Sequence, residues 1–255
     1  MKSNAKFLLI SLLTLVAIVV VIMLKPIPQN SSYHLFADQI TIFGIPNFLN
    51  VFSNFLFLIF GIYGLSLLKK TNAQRSIKVI YAVLFSGILL TGLGSAYYHY
   101  SPNNDSLVYD RIPMTIVFMA FLSVTVAELI DIKIGTLLLL PLVLLGITSV
   151  LWWHYSELSG AGDLRFYGFI QYYPILLIPI IILLFPSTAG NQGLRSLIWV
   201  VIWYIIAKIC EHFDKEIYSA IGFISGHSLK HIAAAIATWC IVRIYARKYI
   251  SMATI

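Results

Sequence analysis

The chain of 255 residues alternates long apolar runs with short polar connections. Runs of roughly 17–25 mostly apolar residues are long enough to cross a bilayer as a helix. Eight such runs predict eight spans, at about 7–24, 47–68, 79–99, 108–130, 134–153, 167–185, 195–212 and 222–245. No low-complexity linker divides them. The pattern therefore predicts an all-α, polytopic transmembrane helical bundle.

Composition supports a membrane protein. Hydrophobic residues make up 60% of the chain and charged residues only 11%, whereas soluble domains carry about 25% charged residues. The mean hydropathy is +0.90. We therefore expect an integral multi-pass protein embedded in a lipid bilayer.

The first run, Phe7 to Leu24, follows the basic residues Lys2 and Lys6 and could be a signal peptide. The apolar region of a signal peptide is about 7–15 residues long and ends at a small-residue cleavage site. This run is longer and meets Lys25 and Pro26 instead. We expect residues 1–44 to form a retained N-terminal helix and an outer loop, before a seven-span core at 45–255.

The net charge of +7 could indicate binding to nucleic acid, but its distribution favours a simpler interpretation. In the eight-span arrangement, eleven Lys and Arg residues lie on one side and five on the other. Basic loops face the cytoplasm. The charge therefore predicts cytoplasmic N- and C-termini and no nucleic-acid partner.

Prolines occur inside several predicted spans. Pro113 is expected in the first turn of its helix, where a missing N–H costs little. Pro141, Pro174 and Pro179 are expected to kink their helices.

Five polar residues interrupt these apolar runs. They are Ser95, His99, Asp110, His227 and His231. An ionisable side chain costs roughly 2.5–3.5 kcal/mol or more at mid-bilayer, so such residues indicate a functional site. The predicted topology brings all five to one depth, near the non-cytoplasmic side.

The histidines indicate a metal centre. His227 and His231 are four residues apart and share one helix face, although this spacing alone is a weak signal. With His99 they form a set of three imidazoles, the ligand set of a catalytic zinc with an open fourth position. Such a zinc lowers the pKa of its bound water to about 7 and polarises a carbonyl.

Asp110 and Ser95 are the candidate catalytic residues. Asp110 could act as a general base on the water or fix a histidine tautomer. Ser95 lies one turn from His99; its hydroxyl could hold the water or stabilise an oxyanion, or bond to a carbonyl of its own helix.

The other polar residues give weaker signals. Glu211, His212, Asp214 and Lys215 are expected to form a solvated helix end, with contact to a substrate head group as the alternative. Lys230 is expected to point away from His231. The pattern identifies no substrate-binding residue and no oligomeric state.

Two other classes of function are compatible with histidines in a membrane. A haem-binding electron carrier needs one or two axial ligands, which three histidines and a carboxylate fit poorly. A transporter is disfavoured because the sequence has no internal repeat.

Three motifs resemble one family. The strings Gly94-Ser95-Ala96-Tyr97-Tyr98-His99, Asp110-Arg111-Ile112-Pro113-Met114 and Ser225-Gly226-His227-Ser228-Leu229-Lys230-His231 resemble the signatures of the alkaline ceramidase, adiponectin-receptor and Per1-like superfamily of membrane hydrolases. The segment Pro46 to Asn54 resembles the start of the first core helix of the alkaline ceramidases. The resemblance covers about residues 45–248.

The resemblance implies a seven-helix core that binds zinc through His99, His227 and His231, with Asp110 and Ser95 near the metal-bound water. It implies hydrolysis of a lipid amide, most characteristically ceramide, to a sphingoid base and a fatty acid. A zinc-binding receptor of the same superfamily, without amidase activity, is the alternative.

Two features depart from the family. The helix at Phe7–Leu24 is additional to the seven-helix core. Animal alkaline ceramidases also carry an acidic calcium-binding stretch before the first core helix, whereas His34 to Asn50 offers only Asp38. A calcium requirement is therefore not expected.

Overall fold

The computed structural model describes residues 3–186 and 191–250. These residues form α-helices joined by short connections, apart from the long connection at 24–47, which contains a 3₁₀ turn at Ser31–His34. The helices are α1 (Ser3–Met23), α2 (Phe48–Phe52), α3 (Phe55–Leu67), α4 (Arg75–Tyr100), α5 (Asn104–Leu129), α6 (Ile132–Leu158), α7 (Arg165–Leu184), α8 (Asn191–His212), α9 (Asp214–Ile221) and α10 (Gly226–Tyr249).

The predicted all-α polytopic bundle is confirmed. Each of the eight predicted spans coincides with helix, and α2 and α3 share the second. Within the described residues, seven helical stretches are long and apolar enough to cross a membrane, and α8 adds a further helix of 22 residues. The short helix α9 was not predicted, because its eight residues are mostly polar.

Capping residues set where the site-bearing helices begin. Asn103 caps α5 through a capping box in which its side chain accepts from the backbone N–H of Ser106. Ser225 caps α10 by accepting from the backbone N–H of Ser228. Each cap satisfies a backbone donor at a helix start that would otherwise lack a partner.

The bundle packs around α4, α5 and α10. Helix α4 lies along α3 and α5, α5 lies along α6, and α10 lies along α8. Between them lies a core of fully buried side chains that includes Ile80, Leu84, Phe85, Val242 and Tyr245. The outer surface of the bundle carries exposed apolar side chains, such as Leu137 of α6 and Leu183 of α7, at 77% and 70% exposure. Such surfaces suit contact with lipid rather than water.

The second predicted span is broken. Helix α2 ends at Phe52 and α3 begins at Phe55, so Ser53 and Asn54 form a turn between them. Hydropathy could not predict this break, because apolar residues continue on both sides. The break leaves two polar side chains facing the bundle interior.

The expectation for Pro113 was wrong. Helix α5 begins at Asn104, so Pro113 lies well inside it rather than in its first turn. Proline has no N–H, and the carbonyl of Tyr109, four residues earlier, therefore loses its helical partner. That carbonyl faces Gly94 of α4, where any Cβ atom would overlap it. The two helices can approach so closely only because residue 94 is glycine.

We therefore expect Gly94→Ala to force α4 and α5 apart. Overpacking of this kind typically costs about 1–3 kcal/mol, so the variant should unfold at a lower temperature than wild type in detergent. Gly168→Ala is the matched control, since a Cβ atom there meets nothing within 4 Å. Equal melting temperatures for the two variants would contradict the close crossing.

Candidate active site

Three histidines from two helices converge at one end of the bundle. His99 lies in the last turn of α4, and His227 and His231 lie in the first two turns of α10. Their exposed fractions are 0%, 5% and 3%. One nitrogen from each ring lies within 4.8 Å of the others, and His99 Nε2 lies 3.1 Å from His231 Nε2.

The start of α10 is fixed by the backbone around His227. Gly226 lies so close to the end of α8 and to Asp214 that a Cβ atom would overlap their backbones. The carboxylate of Asp214 accepts a 2.7 Å hydrogen bond from the backbone N–H of His227. A carboxylate at a helix N-terminus is favoured by the helix dipole. Asp214 therefore holds α10 in place instead of forming a solvated helix end.

The second nitrogen of His231 has a partner from the break between α2 and α3. Ser53 Oγ lies 2.8 Å from His231 Nδ1, and Asn54 Nδ2 lies 3.4 Å from the same atom. A partner on one ring nitrogen fixes the tautomer and orientation of a metal-binding histidine. With Nδ1 engaged, Nε2 is the nitrogen that faces His99.

A buried polar network links the segment before α3 to both histidine helices. Asn50 accepts a 2.7 Å hydrogen bond from Ser228 Oγ, and its own amide donates to the carbonyl of Asp38 at 3.1 Å. Asn47 Nδ2 donates to the carbonyl of His99 at 2.8 Å. Asp38 and Asn50 are fully buried. These amides form hydrogen bonds with backbone and hydroxyl groups that would otherwise be unpaired in an apolar interior.

An aromatic ring closes the histidine cluster on another side. The ring of Phe36 lies 4.6 Å from the ring of His99 and 4.7 Å from that of His227, measured between centroids. Phe36 is itself 5% exposed. It shields two imidazoles from solvent.

Asp110 and Ser95 lie beside this cluster. They are 6% and 3% exposed, and the Ser95 side chain faces the Asp110 carboxylate. The contact of Gly94 with Tyr109 brings the neighbouring residues 95 and 110 together. Ser95, Asp110 and His231 line one cavity of about 150 Å³, called here the small cavity. The structure thus brings all five sequence-predicted site residues to one end of the bundle.

Glu211 differs from the expectation, and Lys230 has contacts that the sequence did not predict. Lys230 lies at the cluster, 3.2 Å from His227 Nε2, and donates to Glu211 at 2.9 Å. Glu211 also accepts a 2.7 Å hydrogen bond from Lys208. Glu211 is therefore a shared partner of two lysines and not a solvated residue. The sequence did not predict this because α8 and α10 must first be packed together.

Arg111 lies in an aromatic cage next to Asp110. Its guanidinium carbon is 4.0 Å from the ring centroid of Trp153 and 4.5 Å from that of Tyr167, with Tyr33 at 5.6 Å. One terminal nitrogen donates to Gln29 at 2.7 Å, and the other has no hydrogen-bond partner. Cation–π contacts of this kind offset part of the cost of burying a guanidinium.

A second and larger space adjoins the small cavity. It has a volume of about 620 Å³ and is called here the large cavity. Five residues line both spaces: Asp110, Met114, Tyr204, Lys230 and Ala234. The two cavities therefore meet at the candidate catalytic carboxylate. Pockets that bind organic ligands have volumes of about 300–1,000 Å³.

The donor set fits a metal ion. In tetrahedral coordination with bonds of about 2.0–2.1 Å, two ligand nitrogens lie about 3.3 Å apart, close to the 3.1 Å between His99 and His231. The Lys230 ammonium contacts His227 Nε2 in this structure, at 3.2 Å. A metal at that nitrogen requires the ammonium to turn away, and Glu211 already accepts one of its hydrogen bonds.

Sequence reasoning missed the residues that support the ligands. Ser53, Asn54, Asn50 and Asn47 lie within the segment that resembles the alkaline ceramidases, yet no role was predicted for them. Four polar side chains in an otherwise apolar stretch, at positions three apart from 47 to 53 and at the adjacent position 54, were the available signal.

Comparison with known proteins agrees with the three motifs. A family model described as "Ceramidase" matches residues 39–253. A protein of Dictyostelium discoideum named "Putative alkaline ceramidase dcd3B" is 29% identical over 90 residues, which are 30% of this chain and 32% of that protein. The aligned segment thus spans about a third of that relative. The family match, which covers most of the chain, shows that this protein belongs to the ceramidase family.

Proposed function

We propose that this protein is a zinc-dependent membrane amidase that hydrolyses a lipid amide, with ceramide as the most characteristic substrate. The observation that carries the proposal is the cluster of three buried histidines beside Asp110, at the meeting point of two cavities. Membership of the ceramidase family supports the same reaction.

The three imidazoles are suited to hold the metal. When bound there, zinc supplies a Lewis acid that polarises a carbonyl and lowers the pKa of water. Nitrogen ligands favour zinc over the hard cations calcium and magnesium, which prefer oxygen. The three rings converge on one point, whereas haem iron takes axial ligands from opposite faces of a macrocycle.

Asp110 is the proposed general base and acid. Its carboxylate accepts a proton from the attacking water, and the water oxygen bonds to the amide carbon. The carboxyl group then returns the proton to the amine nitrogen as the C–N bond breaks. The products are a fatty acid and an amine.

Ser95 is proposed to donate a hydrogen bond. Its hydroxyl faces Asp110 and lines the small cavity. It can orient the carboxylate or donate to the oxyanion that develops on the amide oxygen.

The arrangement in the membrane is part of the proposal. Residues 45–255 would form the hydrolase core and residues 1–44 an additional helix and loop. The surplus of basic residues on one side supports cytoplasmic termini, with the site towards the opposite side.

We expect the purified protein to contain one metal ion per chain. His231→Ala should lose most of it, because two nitrogens rarely hold zinc as tightly as three. His212→Ala is the control, since His212 is exposed. The measurement is elemental analysis after gel filtration in detergent. Equal metal contents in the two variants would contradict the proposed ligands.

Ser53→Ala should weaken metal binding about 10–100-fold, the usual effect of removing a partner from a metal-binding histidine. Ser53→Thr keeps the hydroxyl and should remain close to wild type. Ser66→Ala is the control, because Ser66 is exposed and bonds only to its own helix. Competition with a chelator of known affinity measures the effect without an activity assay.

We expect wild type to hydrolyse ceramide in detergent, and Asp110→Asn to lower kcat about 10²-fold or more with an unchanged metal content. Asp105→Asn is the matched control, five residues earlier in the same helix, with a side chain that is 80% exposed. A metal-loaded wild type that hydrolyses no member of a panel of lipid amides would instead favour a receptor-like role.

A further inference from the structure

The large cavity has two unlike walls. One part of its lining is aliphatic and comes from Ala17, Val20 and Val21 of α1 and from Leu24, which follows that helix. Another part, called here the charged wall, carries charged side chains from α5, α8 and α10. A cavity with one apolar and one charged wall suits an amphiphile.

The charged wall is built around Glu211. One carboxylate oxygen accepts from Lys208 at 2.7 Å and the other from Lys230 at 2.9 Å. The side chains of Lys208, Glu211 and Lys230 are 33%, 20% and 17% exposed. Both oxygens of one carboxylate are thus shared between two ammonium groups, which leaves one positive charge in excess.

The remaining charges of this wall do not remove that excess. Asp110 offsets one cation, but Arg111 adds another. Three cations, Arg111, Lys208 and Lys230, therefore face two carboxylates, Asp110 and Glu211. A charge removed from water is costly unless it is paired. A divalent ion on the histidines would increase the excess.

Arg165 also lines the cavity but contributes no surplus charge. It pairs with Asp163 at 2.8 Å, and its hydrogen bonds to that carboxyl lower the pKa of Asp163. Arg165 also donates to the carbonyl oxygens of Ile22 and Leu24. Its role is to fix the end of α1 against the cavity.

Arg111 has an N–H donor group without an acceptor. It is 5% exposed, and one terminal nitrogen has no hydrogen-bond partner. Most buried polar atoms in proteins are paired. The aromatic cage holds the guanidinium over Trp153 and Tyr167, and Arg111 is one of the residues that line the large cavity.

We propose that this wall of the large cavity is a subsite for an acidic group carried by the lipid, with the aliphatic wall of α1 against its hydrocarbon part. The acidic group is a phosphate, sulfonate or carboxylate on the head group of the lipid amide, or the carboxylate of the released fatty acid. The inference rests on the proposed amidase function and names the substrate class of that site.

The subsite depends on residues that the family match does not include. Residues Ala17 to Leu24 of the aliphatic wall, and Gln29 and Tyr33 at Arg111, all precede residue 39, where the match begins. The charged residues Arg111, Lys208, Glu211 and Lys230 lie inside the match, so what precedes it is the aliphatic wall and two partners of Arg111.

The test compares ceramide with ceramide 1-phosphate, which have the same two chains and differ by one acidic group. The measured quantity is the ratio of kcat/KM for the phosphate to that for ceramide, in which the amount of active protein cancels. If the head group carries the acidic group, wild type should prefer the phosphate. Lys208→Met should lower the ratio about tenfold, because it removes the excess charge.

Two further variants separate charge from damage to the fold. Glu211→Gln adds one positive charge and should raise the ratio, an effect that a folding defect cannot imitate. The double variant Lys208→Met with Glu211→Gln restores the wild-type charge and should restore most of the preference. Lys215→Met is the control, since Lys215 is exposed and lies outside the cavity lining.

A second arm identifies the source of the acidic group. Inhibition of ceramide hydrolysis by palmitate is measured in the same variants. If the head group is the source, the ratio changes and inhibition by palmitate does not. If the released fatty acid is the source, Lys208→Met weakens inhibition by palmitate and leaves the ratio unchanged. If neither the ratio nor the inhibition by palmitate changes in any variant, the inference is overturned.

A binding measurement separates this inference from the proposed function. Displacement of a fluorescent lipid by ceramide or by ceramide 1-phosphate needs no turnover. Tighter binding of the phosphate that depends on Lys208, without hydrolysis of either lipid, would support the subsite and refute the amidase. Hydrolysis of both lipids with equal binding and equal rates, together with palmitate inhibition that Lys208→Met leaves unchanged, would support the amidase and refute the subsite.

Discussion

The close crossing of α4 and α5 is the constraint on which the candidate site depends. Pro113 releases the carbonyl of Tyr109, and Gly94 gives that carbonyl room against α4. The next residue on each helix, Ser95 on one and Asp110 on the other, then lies at the same height. The glycine and the proline of the two motifs thus permit the close crossing that positions the polar residues beside them.

Much of this arrangement could be predicted from the sequence. Hydropathy located every described span, because the length of an apolar run is the main requirement for crossing a bilayer. The spacing of His227 and His231 placed them on one face, and counting spans brought His99 and Asp110 to the same end. These predictions need only the length and direction of each helix.

The supporting residues could not be predicted in the same way. Ser53 contacts His231 from the turn between α2 and α3, and hydropathy is insensitive to such a turn. Glu211 is paired because α8 packs along α10. Contacts of this kind depend on the rotation of one helix about its axis relative to another, which one sequence does not specify.

Helix α1 has a consequence for how the protein can be shortened or compared. It packs against α7 and forms one wall of the large cavity, yet it lies outside the region shared with the family. A chain trimmed to the family boundaries, residues 39–253, would keep every proposed ligand and catalytic group. It would nevertheless lose one wall of the cavity, so the lipids that it binds would differ from those of the full chain because of the trimming.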